Sequence, residues 1–180
     1  MIVTEDIFNT ILENKANGTT YIFKNFCNDV PSWDEFVEYI YEASEQTSQF
    51  DDPLPQYDLD LGGKVVGNIL LKQDLYLYVG LHRYIGKSEQ IVNEFRTFKP
   101  MFGLANLYVN LSSKISNIPP HVDPMDNFYW QCQGSVEWLA NGNTYNVEQG
   151  DLVYIPAKTS HAVNFNGPRA AIGFSVDLNG

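Results

Sequence analysis

Cysteine is scarce in this chain: Cys27 and Cys132 are the only two and have no CxxC spacing, which rules out a disulfide scaffold and favours reduced, buried thiols. Long hydrophobic runs are missing as well. No segment approaches the roughly 20 apolar residues of a membrane-spanning helix, so no membrane is expected as a partner. Where a signal peptide would be basic the sequence has Glu5 and Asp6, and the expected location is cytoplasmic. Basic residues are few, 11 against 22 acidic ones, for a formal charge of -11. Such a field repels phosphate backbones and anionic membranes, which argues against nucleic acid as a direct partner. No repeat or low-complexity segment occurs. What the chain does have is 180 residues with 44% hydrophobic content, enough for a single domain over 1–180 with a substantial core.

The first hundred residues carry helical punctuation. Thr4 is placed to cap a helix with Ile7, Ile11 and Leu12 on one face, ending near Asn17-Gly18. A short strand is predicted over Tyr21 to Phe23. Ser32-Trp33-Asp34-Glu35 has the form of a capping box, opening a helix whose buried stripe would be Phe36, Val37, Ile40 and Tyr41, with Glu35, Glu38 and Glu42 on a solvated face. A loop is expected over 50–63. A third helix is predicted from about Ser88 to Phe98, with Ile91, Val92, Phe95 and Phe98 at helical spacing and Pro100 as its stop.

From Leu104 the texture changes to short β-type runs: 104–111, 127–133, 135–140, 144–147, 152–155, 161–165 and 170–176. Asn141-Gly142 and Asn166-Gly167 are two-residue hairpin signals. The expectation is a mainly β fold, a sandwich or barrel over 104–177, with the segment 1–103 as mixed support whose helices pack outside it.

Histidine is rare too, with three in the chain, and two of them fall in this β-rich half. In Pro120-His121-Val122-Asp123 the i, i+2 spacing on an extended segment places imidazole and carboxylate on one face, so both can reach a single ion. His161 follows 40 residues later, a separation that a barrel can close at its mouth. Two imidazoles and a carboxylate form a facial triad that leaves coordination positions open, a donor set suited to Fe(II).

The surroundings of these residues resemble a known family. Asn106-Leu107-Tyr108-Val109, Pro120 to Pro124, Asp126 to Gln131, Gly134 and Trp138 are similar to the core of JmjC-type and related cupin-fold hydroxylases, and Gly150-x5-Pro156-x4-His161 resembles the second cupin motif. The resemblance covers about 104–176. It implies a double-stranded β-helix (jelly-roll, cupin) barrel, Fe(II), and 2-oxoglutarate as co-substrate of an oxygenase acting on a small-molecule or protein/peptide substrate; a homodimer fits it as well. It departs from the JmjC pattern in two places: Gln133 to Trp138 offers no basic residue to pair with the far carboxylate of 2-oxoglutarate, and Ile118 stands where a Thr is common.

Arg169 lies eight residues after His161, where prolyl-hydroxylase-like relatives keep their 2-oxoglutarate arginine. An arginine can hold a carboxylate through two parallel hydrogen bonds. Period-2 counting groups Arg169 with Ala171, Gly173 and Ser175, a small-residue face with room for a ligand. A strict hairpin at Asn166-Gly167 would turn Arg169 away from the His161 face, so this role requires a crossing or bulged connection. Asn106 and Tyr108 share a strand face and could donate to a bound acid. Phe128, Trp130 and Cys132 form one face of their strand, Tyr129 and Gln131 the other, and either set could line the pocket. Lys158 reads as a solvated turn residue, and His82 and Arg83 fall outside the barrel. The rival readings are a metal-dependent cupin isomerase, lyase or dioxygenase acting on a small acid, and a metal-binding sensor.

Overall fold

The computed structural model describes residues 2–45, 64–66, 69–71, 76–80, 86–99, 102–110, 115–176 and 178, with 43, 64–66, 69–71, 76–80, 102–108 and 115–116 described through their backbone alone. Helix α1 spans Glu5–Asn17: the Thr4 side chain accepts from the Ile7 N–H, and Gly18 ends the helix in the left-handed region at φ 63°. Strand β1 is Tyr21–Phe23. Helix α2, Trp33–Glu45, opens on the predicted box, with the Ser32 N–H donating to Glu35 Oε2 at 2.8 Å and the Glu35 N–H to Ser32 Oγ at 3.2 Å. Helix α3 is Lys87–Arg96, with Ile91, Val92 and Phe95 buried as expected.

The buried side of α2 differs from expectation. Phe36 and Tyr39 are buried, whereas Val37 and Tyr41 stand exposed. Both sets satisfy helical spacing, so periodicity does not choose between them; the edge-on contact of Phe36 with Tyr39, centroids 5.9 Å apart, turns the helix toward the Tyr39 side. The expected loop over 50–63, together with His82, Arg83 and Pro100, lies outside the described residues.

All seven predicted β runs are strands, to within two residues at their described ends: β5 Phe102–Asn110, β7 Asp126–Gln133, β8 Val136–Ala140, β9 Asn143–Val147, β10 Leu152–Ile155, β11 His161–Asn166 and β12 Arg169–Val176. Four further strands go beyond the sequence reading: β2 Lys64–Val66, β3 Ile69–Leu71, β4 Tyr76–Gly80 and β6 Ile115–His121. The first three are runs of three to five residues that the sequence reading passed over although Gly67-Asn68 between the first two is itself a hairpin signal, and the fourth contains Pro119-Pro120, which speaks against a strand unless it lies at an edge.

The strands form two antiparallel sheets, ordered β1-β10-β7-β12-β5-β4-β3-β2 and β6-β11-β8-β9. Strand alternation gives the large sheet two apolar faces. Its outer face, with Phe128, Trp130, Cys132, Leu152, Tyr154, Ile172 and Phe174, packs against Ile11, Phe36, Ile91, Val92 and Phe95 of the helices. Its inner face, with Tyr129, Val153 and Ile155, meets Val136, Trp138, Val147, Val163 and Phe165 of the small sheet. The result is the expected two-sheet barrel with helices on its outside. Among the described residues no helix is long and apolar enough to cross a membrane.

One corner admits a direct test of how closely the sheets approach. Gly134 leaves β7 at φ +70°, and a Cβ there would lie 2.5 Å from the Pro168 carbonyl oxygen and 3.3 Å from Arg169 Cα. Because the obstacle is backbone and the dihedral disfavours L side chains, Gly134→Ala is expected to cost about 1–3 kcal/mol. The measurement is a lower urea midpoint at unchanged m-value; an unchanged midpoint would show that the corner yields freely.

Candidate metal centre

The antiparallel ladder brings the two histidines together. His121 ends β6 and His161 begins β11, and the two are direct cross-strand partners with ring centroids 4.2 Å apart. Strand β6 is the edge of the small sheet, where prolines without N–H groups are tolerated. The register shifts between the His161↔His121 and Val163↔Ile118 pairs, placing one extra residue on β6 at Pro119-Pro120. Such a bulge re-aims the side chain that follows it, here His121.

Asp123 sits two residues past the end of β6. Its carbonyl oxygen accepts from the Lys158 N–H at 2.7 Å, so the turn leading into His161 is latched to the segment leaving His121. Lys158 adopts φ 63° to make this turn, and its side chain is exposed as expected.

The second motif is a frame for delivering His161. Gly150 holds φ +91°, and a Cβ there would approach Asn28 Oδ1 to 2.1 Å. Its N–H donates to the Gln131 carbonyl at 2.8 Å and its own carbonyl accepts from Cys27 at 3.0 Å. The next residue, Asp151, is buried, accepts from the backbone N–H groups of Asn25 and Glu148, and pairs with Lys24 at 2.7 Å.

Both imidazoles are tethered in the same way. His121 Nδ1 lies 2.9 Å from the Pro119 carbonyl and His161 Nδ1 2.9 Å from the Thr159 carbonyl. A carbonyl can only accept, so each Nδ1 carries the proton and each Nε2 keeps its lone pair, the arrangement that outer partners impose on metal-ligating histidines. His161 Nε2 is fully buried without a hydrogen-bond partner and stands 3.4 Å from Asp123 Oδ2. One ligand atom from each of His121, Asp123 and His161 falls within 4.8 Å of the others. An orphaned buried nitrogen beside a carboxylate and a second imidazole fits a divalent ion with mixed nitrogen and oxygen ligands.

Burial alone would raise the Asp123 pKa, but the close His161 imidazole first, then His121 and a hydrogen bond from Tyr129, outweigh it and hold the carboxyl below its ordinary value. The group is therefore a carboxylate at neutral pH. Asn127 Nδ2 donates to Asp123 Oδ2 at 2.5 Å, and Ser175 Oγ donates to Asn127 Oδ1 at 2.5 Å. The Trp138 ring lies 5.8 Å from that of His161 and 4.6 Å from that of Tyr129.

Arg169 is 2% exposed and shares the inner face of β12 with Ala171, Gly173 and Ser175. The Asn166-Gly167 hairpin expectation is corrected: β11 and β12 belong to different sheets, and this dipeptide is the corner where the chain crosses between them. The crossing turns Arg169 inward, where its guanidinium carbon sits 4.8 Å above the Phe165 ring. Between the two possible pocket faces of β7, it is Tyr129 that points into the barrel, while Phe128, Trp130 and Cys132 pack against the helices. Asn106 and Tyr108 occupy β5 opposite Gly173 and Ala171, and their side chains lie outside the described residues. Sequence reasoning missed Asn127 and Ser175 as neighbours of the triad. Counting back by two from Tyr129 places Asn127 on the inner face and would have found it.

The Cupin domain profile matches residues 112–177. Among solved structures, YcfD, a ribosomal oxygenase from Escherichia coli, in complex with cobalt and 2-oxoglutarate, is 17% identical with a TM-score of 0.66, covering 95% of this chain and 51% of that one. The same protein with cobalt and succinic acid superposes with a TM-score of 0.65 at the same identity and coverage. This chain thus spans about half the length of YcfD. A cupin superfamily protein from Desulfitobacterium hafniense is 14% identical with a TM-score of 0.45, covering 74% of this chain and 96% of that one. No curated protein sequence matches the chain. The fold is a cupin-type β barrel, its centre in the matched segment and its large sheet extended by strands from the first hundred residues.

Proposed function

We propose that His121, Asp123 and His161 hold Fe(II) and that the protein is a 2-oxoglutarate-dependent oxygenase. The observation that carries this reading is the pairing of two Nδ1-tethered histidines with a buried arginine on the inner wall of the same barrel. Fe(II) bound there would supply oxygen activation, a chemistry for which a facial triad leaves the necessary open positions.

The chain's own residues would bind and orient the co-substrate. Phe165, beneath the Arg169 guanidinium, is four residues along β11 from His161, a backbone separation of about 13 Å at ~3.3 Å per residue. His161, Val163 and Phe165 alternate onto the same, inward face of β11. Ala171 and Gly173 line β12 between Arg169 and Ser175 and leave space for a small dicarboxylic acid. Trp138 and Tyr129 wall the triad with aromatic surface, which limits water at the reacting end.

The test is Arg169→Ala. Loss of a buried partner of a carboxylate is expected to weaken 2-oxoglutarate binding by roughly 2–5 kcal/mol, with metal affinity little changed. Arg169→Lys should rescue only in part, because a point charge cannot reproduce the planar fork. Anaerobic titration of the Fe(II)-loaded protein, together with uncoupled conversion of 2-oxoglutarate to succinate, reads both quantities without the prime substrate. Normal turnover in Arg169→Ala would move the anchor elsewhere. The absence of a basic residue in Gln133 to Trp138 favours the second reading, a metal-dependent cupin enzyme that takes a different small acid against Arg169; wild-type protein showing neither chelation nor turnover would select it.

A further inference from the structure

Asn127 and Ser175 are direct cross-strand partners on the inner face of the large sheet, and together they reach Asp123. Asn127 is 4% exposed, so its amide has little water to turn to. A side-chain amide can present either its oxygen or its nitrogen to a carboxylate, and only the nitrogen is attractive. The Asp123 carboxylate only accepts, so Nδ2 faces its Oδ2, and Oδ1 is left toward Ser175, whose hydroxyl donates to it and completes the orientation. Asp123 Oδ2 is the oxygen 3.4 Å from His161 Nε2, on the side where the ligand atoms converge.

We propose that Asn127, oriented by Ser175, is a positioning residue that fixes the Asp123 carboxylate and so sets its mode of metal ligation. The inference rests on the metal reading of the triad and adds to it a division of labour. The two histidines are fixed by backbone carbonyls of their own segments, whereas the carboxylate, which can rotate between one-oxygen and two-oxygen binding, is fixed from the opposite sheet. With one lone pair of Oδ2 committed to Asn127, the carboxylate is restrained from swinging both oxygens onto the ion. Tyr129 supports the same group from the next inner-facing position of β7.

The experiment is Co(II) titration of the full chain, followed by the visible ligand-field bands, for wild type, Asn127→Ala, Ser175→Ala and the double variant. Outer partners of metal ligands are worth roughly 10–100-fold in affinity. Asn127→Ala is therefore expected to weaken Co(II) in that range, to retain one ion per chain and to change the band pattern. Ser175→Ala should show a smaller loss in the same direction, and the double variant should be no weaker than Asn127→Ala, since Ser175 acts only through Asn127. A residue with a merely structural role would move the urea midpoint but not the bands or this non-additivity. Wild-type affinity and bands in Asn127→Ala would overturn the proposal and leave the triad standing, as would additive losses from the two sites. Wild-type protein that binds no Co(II) would overturn the triad and this proposal together. Should Asn127→Ala not fold, the partly buried Ser175 hydroxyl provides the decisive variant, and unchanged bands in Ser175→Ala would then reject the relay.

Discussion

His161→Ala is expected to abolish stoichiometric binding of a divalent metal while leaving the barrel folded. The imidazole is 2% exposed, and its Nε2 has no hydrogen-bond partner, so the substitution removes a buried unsatisfied nitrogen as well as a ligand. The fold does not depend on it, because the apolar contacts of Val163 and Phe165 on the same strand remain. The metal does. Removing one of three protein ligands should exceed the roughly 10–100-fold loss typical of outer partners. His121→Ala should behave alike, since its ring is held by the same kind of carbonyl contact and stands directly across the ladder. Affinity should also decline in acid, because a protonated ring cannot ligate and protons then compete with the ion for the same lone pairs. Calorimetry at several pH values reads both effects. Full stoichiometric metal in His121→Ala would make the triad wrong.

Asp126→Ala should produce the largest loss of stability among the described polar groups. Asp126 precedes Asn127 on β7 and therefore points the opposite way, toward the helices. Its Oδ2 pairs with Lys15 of α1 at 2.6 Å, and its Oδ1 accepts from the Tyr154 hydroxyl at 2.8 Å and from the Ala157 N–H at 3.3 Å. The Asp126 side chain is 1% exposed and that of Lys15 19%. Burial first, and then the hydrogen bond to Asp126, push the Tyr154 phenol above its ordinary pKa, so it is a donor at neutral pH. Truncation would leave a largely buried ammonium and a buried hydroxyl without their acceptor. Breaking a buried pair from one side costs about 3–5 kcal/mol, and the partial hydration of Lys15 places this case near the lower bound. Tyr154→Phe removes a single donor and should cost about 1 kcal/mol. Urea unfolding reads both; a loss under 1 kcal/mol for Asp126→Ala would mean that Lys15 finds water. Metal affinity of the folded variant should change little, because the residue faces away from the triad.

These two neighbours also show where the sequence was legible and where it was not. Local chemistry was readable: Thr4 and Gly18 bound α1, Ser32 and Glu35 form their reciprocal cap, and Asn141-Gly142 makes a tight turn with φ of 51° and 75°. Strand runs with clear alternation were readable as well, whereas alternation alone left both faces of β7 open as the pocket side, and the packing of the helices on one of them decides it. What could not be read was anything decided by a distant partner. Asp126 looks like a surface residue until Lys15, 111 positions away, is placed against it. Asn166-Gly167 suits a hairpin and a crossing corner equally well, and the pairing of β12 with β5 and β7 makes it the latter. Pro119-Pro120 hides a strand that can exist only because it is an edge. The candidate triad stood out in the sequence because rare residue types in a fixed pattern carry information that common ones do not.

The hydrogen bond from the Lys158 amide to the Asp123 carbonyl has a kinetic consequence. A site whose carboxylate loop had to condense around an incoming ion would pay for that ordering at each binding event, and capture would wait on the loop. Here the two loops that carry Asp123 and His161 are already joined, through main-chain atoms alone, so capture should be limited by how fast the ion sheds its water. Because an amide supplies the latch, the Lys158 side chain is no part of it; proline, which lacks the N–H and cannot reach the φ of 63°, would unfasten it, and β-branched residues would strain it.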